Sequence, residues 1–353
     1  MDKHQKSGNR RNGNRWLIAL SVLLCLVLMY ICTMTGIASI SFADANRILV
    51  REILHLPADL EGISAGSIAI IKNVRLPRVI LGFIAGAGLA VCGAGFQGIF
   101  RNPMADPFVL GVSSGAALGA AIGIAFHFNK SFLGMSGTTL LAFAGSFLTI
   151  GLVYNISKVG KRVPVSTLLL SGIAVSQTLS ALNSLVMILN KESMDQIVYW
   201  TMGSFNGKGW SQIGQVLPWT AVGIILLLTS ARELDIMLTG EDTAIQLGVN
   251  VEFLKRKVLF ASSVITASII SVTGIIGFVG LVVPHVVRMV AGPRHNRIMP
   301  LSLLFGGTFL IICDTLARSM VAWEIPVGII TSVCGGPFFL YLLRKTKKGG
   351  GFS

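Results

Sequence analysis

RLPRVILGFIAGAGLAVCGAGFQGIFRNPMADPFVLGVSSG runs from Arg75 to Gly115 and reads as a hairpin built for a bilayer. Two arginines frame Leu76-Pro77, and the following run from Val79 to Phe100 holds no charged residue. About 20 apolar residues suffice to cross the hydrocarbon core. The Arg101-Asn-Pro-Met-Ala-Asp-Pro107 turn then carries two prolines and two charges, which drives the chain out of helix before a second apolar run begins.

Outward from this hairpin the composition agrees. Of 353 residues, 53% are hydrophobic and 12% charged, and the mean hydropathy is +0.75. A soluble domain carries about 25% charge, so this is an all-α, polytopic membrane bundle. The net charge of +14 is spread over short loops and the two tails, with no continuous basic face for a phosphate backbone to follow. Nucleic acid is therefore excluded as a partner, and membrane lipid is expected instead. The five cysteines (Cys25, Cys32, Cys92, Cys313, Cys334) all sit in apolar runs without metal-ligand spacing and read as small buried hydrophobes. Ala43-Asp44-Ala45 has the form of a signal cleavage site, but the run Trp16 to Gly36 exceeds a signal peptide's apolar region, and a retained first helix is expected.

Apolar runs of spanning length predict about ten transmembrane helices, at 16–36, 77–99, 108–128, 133–157, 164–189, 212–231, 257–279, 281–291, 299–320 and 325–343. The eighth is too short to span unaided, so 257–291 reads as one span plus a helix broken around Gly274, Gly277, Gly280 and Pro284. With the N-terminus inside, nine of the 29 basic residues fall outside (Arg47, Arg51, Lys72, Arg75, Arg78, Lys130, Lys191, Lys208, Arg318). That bias predicts both termini in the cytoplasm, an even number of spans, and a multi-pass protein of the cell membrane. The whole chain, 1–353, is read as one transmembrane domain: a cytoplasmic tail at 1–15, an extracellular segment at 37–74, and a cytoplasmic loop at 232–256. In that loop Leu234, Met237 and Leu238, then Ala244, Leu247 and Gly248, recur at helical spacing on either side of Gly240, predicting two short surface helices. A weak internal repeat pairs Gly93 to Pro103 and Arg101 with Gly274 to Pro284 and Arg288.

Gly93-Ala-Gly95-Phe-Gln-Gly98 has the G-x-G-x-x-G form, but it lies in mid-span, where no strand can precede it. These glycines, with Gly82, Gly86, Gly115, Gly119 and Gly123, instead predict close helix contacts in lipid. No phosphate-binding loop of the G-x-x-x-x-G-K-[ST] form is present, so any ATP would be bound and hydrolysed by another chain. Asp314 is the only acid well inside a span, and Arg318 at i+4 predicts a local ion pair. Paired midplane acids, which an ion-coupled carrier would need, are missing, and no cluster suggests a catalytic or metal site. Arg75, Arg78 and Arg318 fall at outer span ends, where they either snorkel or present fixed guanidinium forks to carboxylates of an extracellular partner. Ser176, Gln177, Asn183 and Thr266 read either as lining of a path or as helix-packing hydrogen bonds.

RLPR at 75–78, RNPMADPFVLGVSSGAALG at 101–119, LTGEDTAIQLGV at 238–249, GFVGLVVPHVVR at 277–288 and DTLAR…EIPVGIITSVCGGPFFLYLL at 314–343 together resemble the FecCD-type permeases of bacterial ABC importers for iron chelates and cobalamin. The resemblance implies a cobalamin-importer-permease-like bundle that pairs with a second permease subunit, two ATPase subunits and an extracellular substrate-binding protein. It implies that Arg75, Arg78 and Arg318 dock the binding protein. It also implies that Gly240, Glu241, Ala244, Leu247 and Gly248 couple to the ATPase. No catalytic residue, metal or cofactor of the chain's own is implied. The form of the 101–107 turn leans towards iron(III)-siderophore cargo over cobalamin, with haem a further alternative.

Overall fold

Leu76–Phe100 is helical because nothing past its first turn breaks a helix in lipid: it is charge-free after Arg78, and its glycines are packed against other parts of the bundle. The computed structural model describes residues 2–348 except 53–55, 58, 129–130, 133, 161 and 322. Lys130 and Lys161 of the charge count, and part of the 37–74 segment, lie outside the described residues. Fourteen helices follow in order: α1 Asp2–Met34, α2 Phe42–Glu52, α3 Ala65–Phe100, α4 Val112–Ala125, α5 Gly137–Ile156, α6 Val165–Leu189, α7 Met194–Thr201, α8 Trp210–Leu228, α9 Ala231–Met237, α10 Glu241–Gln246, α11 Val251–Thr273, α12 Val279–Ala291, α13 His295–Ser319 and α14 Val327–Lys348. A two-residue β-ribbon, Ser131–Phe132 with Met135–Ser136, turns the chain into α5.

Each of the ten expected spans has its helix, and the two expected surface helices are α9 and α10. Two regions differ from the expectation. The span at 108–128 is not one helix: Pro107–Leu110 forms a 3₁₀ turn and α4 begins only after Gly111 at φ 81°. An alanine-type Cβ on Gly111 would lie 3.0 Å from Ser176 Oγ and from Thr149 Cγ2, so this segment is tucked back between α5 and α6. Non-helical backbone is tolerated at such depth when it is buried in protein, and Asp106 Oδ1 accepts the Phe108 N–H at 2.8 Å to cap the turn. The segment 37–74 is also not wholly a loop, since α3 starts at Ala65 and is wound as a π-helix over Ile70–Arg75.

A long helix (α3, α11), a break, and a short helix (α4, α12) occur twice, the breaks starting at Arg101 (φ 47°) and Gly274 (φ 74°). The two long helices run antiparallel, Gly88 meeting Ile265 and Ile269 while Gly95 meets Val258. The shared constraint is where backbone leaves and re-enters helix.

α3, α11 and α13 form the centre. At Gly93 an added Cβ would lie 1.7 Å from the Gly280 carbonyl oxygen of α12, and at Gly86 2.2 Å from the Gly306 oxygen of α13. Gly115 and Gly119 likewise press α4 onto Thr149 and Leu141 of α5. Backbones this close gain dispersion attraction, which drives helix association where lipid is as apolar as leucine. Overpacking typically costs about 1–3 kcal/mol and more against rigid backbone. Gly93→Val is therefore expected to lower the thermal midpoint of the detergent-purified protein sharply, whereas Gly214→Ala, with open space around its Cβ, leaves it within error.

Candidate functional site

Charge has been gathered at both ends of the bundle. At one end, where α3 passes from its π-wound turn into regular α-helix at Leu76, Arg75 and Arg78 lie one turn apart and are both buried. Arg75 is 3% exposed; its Nη1 donates to the Met34 carbonyl at 2.7 Å and its Nη2 to Ala38 at 2.6 Å, closing the end of α1. Arg78 grips Asp314 of α13 with Nε (3.0 Å) and Nη2 (2.9 Å), and its Nη1 reaches both oxygens of Glu324 at 2.9 Å. Arg318 donates to the Cys32 carbonyl, and its Nε lies 3.7 Å from Asp314 Oδ2.

The three arginines thus come together as one cluster. They do not snorkel, and they are not free: each is turned inward onto a carbonyl or carboxylate. The expected i, i+4 pair within α13 is the weaker half of the arrangement, because Asp314 is held chiefly by Arg78 of another helix. Two carboxylates serve three guanidinium groups, leaving one unit of positive charge. Glu324, with 25% of its side chain exposed, sits at the rim. Glu324 opens the EIPVG stretch of the resemblance but has no role legible in sequence, because an acid in a loop two residues before Pro326 shows no partner locally.

At the opposite end, Gly240 at φ 118° separates α9 from α10, a backbone conformation that a Cβ would strain. Glu241 opens α10 and pairs with Lys255 of α11 at 3.0 Å; Lys255, 6% exposed, also lies 3.7 Å from Glu252. Ala244 is fully buried against the bundle, while Leu247 (64% exposed), Ile245 and Gly248 face outward. The sequence-expected residues therefore divide. Ala244 and Glu241 hold α10 to the bundle, and Leu247 and Gly248 are presented.

A second anchor had no local signal. Asp235 of α9 accepts the backbone N–H and the Nδ1 of His295 (3.1 Å for the ring) and the Asn296 amide at 3.2 Å. Burial alone raises the Asp235 pKa, but its hydrogen bonds with His295 outweigh this and hold the carboxyl below its ordinary range. A carboxyl depressed in the fold contributes stability above its unfolded value and loses it as pH falls through the folded one.

Between the two ends, α6 buries only Leu168 and Gly172. Gln177, Thr178, Ser180 and Ser184 of this span are not buried; Thr178 and Ser184 donate to the Ala174 and Ser180 carbonyls and Ser180 meets Ser114, whereas the Gln177 amide has no partner among the described residues and is poorly suited to lipid. Thr266, by contrast, is fully buried within the bundle on α11 and lines no path. Cys334 is exposed on α14, unlike the other four cysteines.

The FecCD transport family model matches residues 22–345 of the chain. The chain belongs to that family. The cobalamin import system permease protein BtuC of Halobacterium salinarum is 46% identical over 80% of this chain and 75% of its own length. The iron(3+)-hydroxamate import system permease protein FhuG of Bacillus subtilis is 38% identical over 78% of this chain and 84% of its own. A solved ABC transporter described as of metal-chelate type, in an inward-facing conformation, superposes with a TM-score of 0.81 at 31% identity, covering 94% of this chain and 99% of that one. The FecCD protein is thus an ABC-importer permease subunit and not an enzyme.

Breaking a buried ion pair from one side costs about 3–5 kcal/mol, because a charge is stranded. Arg78→Leu and Asp314→Leu are each expected to destabilise the FecCD protein strongly in thermal melts. The double variant should recover a substantial part of the loss. At the other end, Asp235→Ala should leave melting of the bundle nearly intact while increasing proteolysis or hydrogen exchange in residues 231–248.

Proposed function

We propose that this FecCD permease carries iron(III)-siderophore complexes across the cell membrane by alternating access, through a path formed with a second permease subunit. The observation that carries the path is the unburied face of α6 around Gln177, whose side-chain amide is exposed and has no hydrogen-bond partner among the described residues, so that it calls for water or another polar span against it. The cargo reading rests on the likeness to the iron(3+)-hydroxamate permease and to a transporter of metal-chelate type.

Orientation follows the basic residues: both termini and the α9–α10 pair face the cytoplasm, and the arginine cluster faces outward. Two ATPase subunits bind on the inner side, each receiving an α10 with its exposed Ile245 and Leu247. Helix α10 is tied to α11 by Glu241–Lys255, and α9 to α13 by Asp235–His295. ATP-driven movement of the ATPases is thereby passed to two central helices, biasing a two-state rearrangement of the bundle. An extracellular binding protein docks over Arg75, Arg78 and Arg318, its carboxylates drawn by the uncompensated positive charge and competing with Glu324 for Arg78.

Cobalamin is the second reading, favoured by the 46% identical cobalamin permease. Labelled uptake in cells expressing the chain with its ATPase and binding protein separates the two. Ferric siderophore is expected to enter and cyanocobalamin not to. Leu247→Asp should cut uptake about tenfold or more, because docking would then have to desolvate a carboxylate where leucine packs, while the protein remains in the membrane. Entry of cobalamin alone would overturn the cargo.

A further inference from the structure

At the end of the bundle that holds the arginine cluster, a cavity of about 430 Å³ opens between the last turns of α4 and α11, helix α7, and the turn at 204–208. Its size lies in the range that takes small molecules. Its walls are fixed to the bundle. The Ser204 N–H donates to the Thr273 carbonyl at 2.7 Å, and a Cβ on Gly274 would lie 2.2 Å from the Trp200 carbonyl oxygen. Phe205, 1% exposed, plugs the turn into the core beneath.

Trp200 and Tyr199 give the cavity aromatic surface, Asp195 lies on the α7 side, and Lys208 supplies a cation from the turn. Lys208 is half-buried, and burial lowers the pKa of its ammonium group. Among the described residues it forms no ion pair, whereas the buried cations are all partnered, Arg78, Arg318 and Lys255 by carboxylates and Arg75 by the Met34 and Ala38 carbonyls. Asp195 is not within ion-pair distance. A partly desolvated charge without a partner is unfavourable until something anionic enters beside it. A lysine is a compact point charge, suited to the irregular oxygen surface of a chelate more than to one planar carboxylate.

We propose that this cavity is a cargo subsite at the mouth of the path, and that it selects metal chelates of net negative charge, their anionic oxygens pairing with Lys208 while a ligand face rests on Trp200 and Tyr199. The assignment of cargo to this cavity rests on the importer reading above; the selection by charge goes beyond it. An anionic lipid headgroup shares the same chemistry, and the experiment separates the two sources.

The full chain is placed in nanodiscs of phosphatidylcholine, and equilibrium binding of labelled ferric citrate (anionic) and ferrichrome (neutral) is measured for the native protein and for Lys208→Arg, Lys208→Gln and Lys208→Glu. Ferric citrate is expected to bind more tightly than ferrichrome. It should weaken about tenfold or more in Lys208→Gln, as expected on removing a charge-assisted hydrogen bond, and further in Lys208→Glu. Lys208→Arg retains it, and ferrichrome is unaffected throughout. Equal affinity for the two chelates, or indifference of ferric citrate to Lys208→Glu, overturns the proposal. So does ferric citrate binding that is absent in phosphatidylcholine while Lys208 variants change retention of phosphatidylglycerol, which would make the cavity a lipid site. ATP-dependent uptake of the same chelates into proteoliposomes with the ATPase tests the importer reading separately. Charge-selective binding without uptake would sink that reading alone, and uptake without charge selection would sink only this one.

Discussion

The contact between backbones at Gly93–Gly280 and Gly86–Gly306 is the constraint on which the rest of this structure depends. In lipid, apolar side chains gain little by leaving the bilayer for one another, so helices associate through dispersion and polar contacts at short range. Bringing α3 against α12 and α13 without side chains between them sets the distance at which Arg78 can reach Asp314 with two nitrogens. Were α13 held one side chain farther away, the buried charges would lose their partners, and desolvation would then favour expelling them.

The same centre divides the molecule into parts that hold and parts that are offered. α3, α11 and α13 are packed on nearly all faces, and both ionic anchors of the α9–α10 pair end on two of them, Lys255 on α11 and His295 on α13. α6 and the outer face of α10 lie at the other extreme, exposed along surfaces that neither water nor lipid alone suits. Such surfaces call for other subunits. A packed centre tied at one end to the α9–α10 pair, with an open span along its side, is the arrangement on which the proposed transport cycle draws.

Much of this was legible in sequence, and what was missed was missed for physical reasons. Spans are fixed by the length of charge-free runs, a local property, so each of the ten has its helix, although α11 occupies Val251–Thr273 where 257–279 is expected and α3 begins at Ala65 where 77 is expected. The break near Gly274 showed itself through glycines and Pro284. The break at 101–111 was placed at the surface because it carries Arg101 and Asp106, yet Asp106 uses its carboxylate to cap a turn that tucks back into the bundle. Arg75, Arg78 and Arg318 could be placed at span ends but not given a direction. Only contacts with Asp314 and Glu324, 236 and 246 residues from Arg78, turn the fork inward. Asp235–His295 left no periodic trace at all, since a single hydrogen-bonded pair across 60 residues imposes no pattern.

The polar face of α6 lines an aqueous path whose access alternates with nucleotide: that is the claim on which the proposed transport cycle stands. Gln177→Cys, in a Cys334→Ser background and assembled with the ATPase in proteoliposomes, tests it through modification by a membrane-impermeant maleimide added to one side or the other. Residue 177 is predicted to react from water, with the reactive side changing when ATP is supplied. Reaction only after the bilayer is dissolved by detergent, or from the same side at the same rate with and without ATP, would contradict the account.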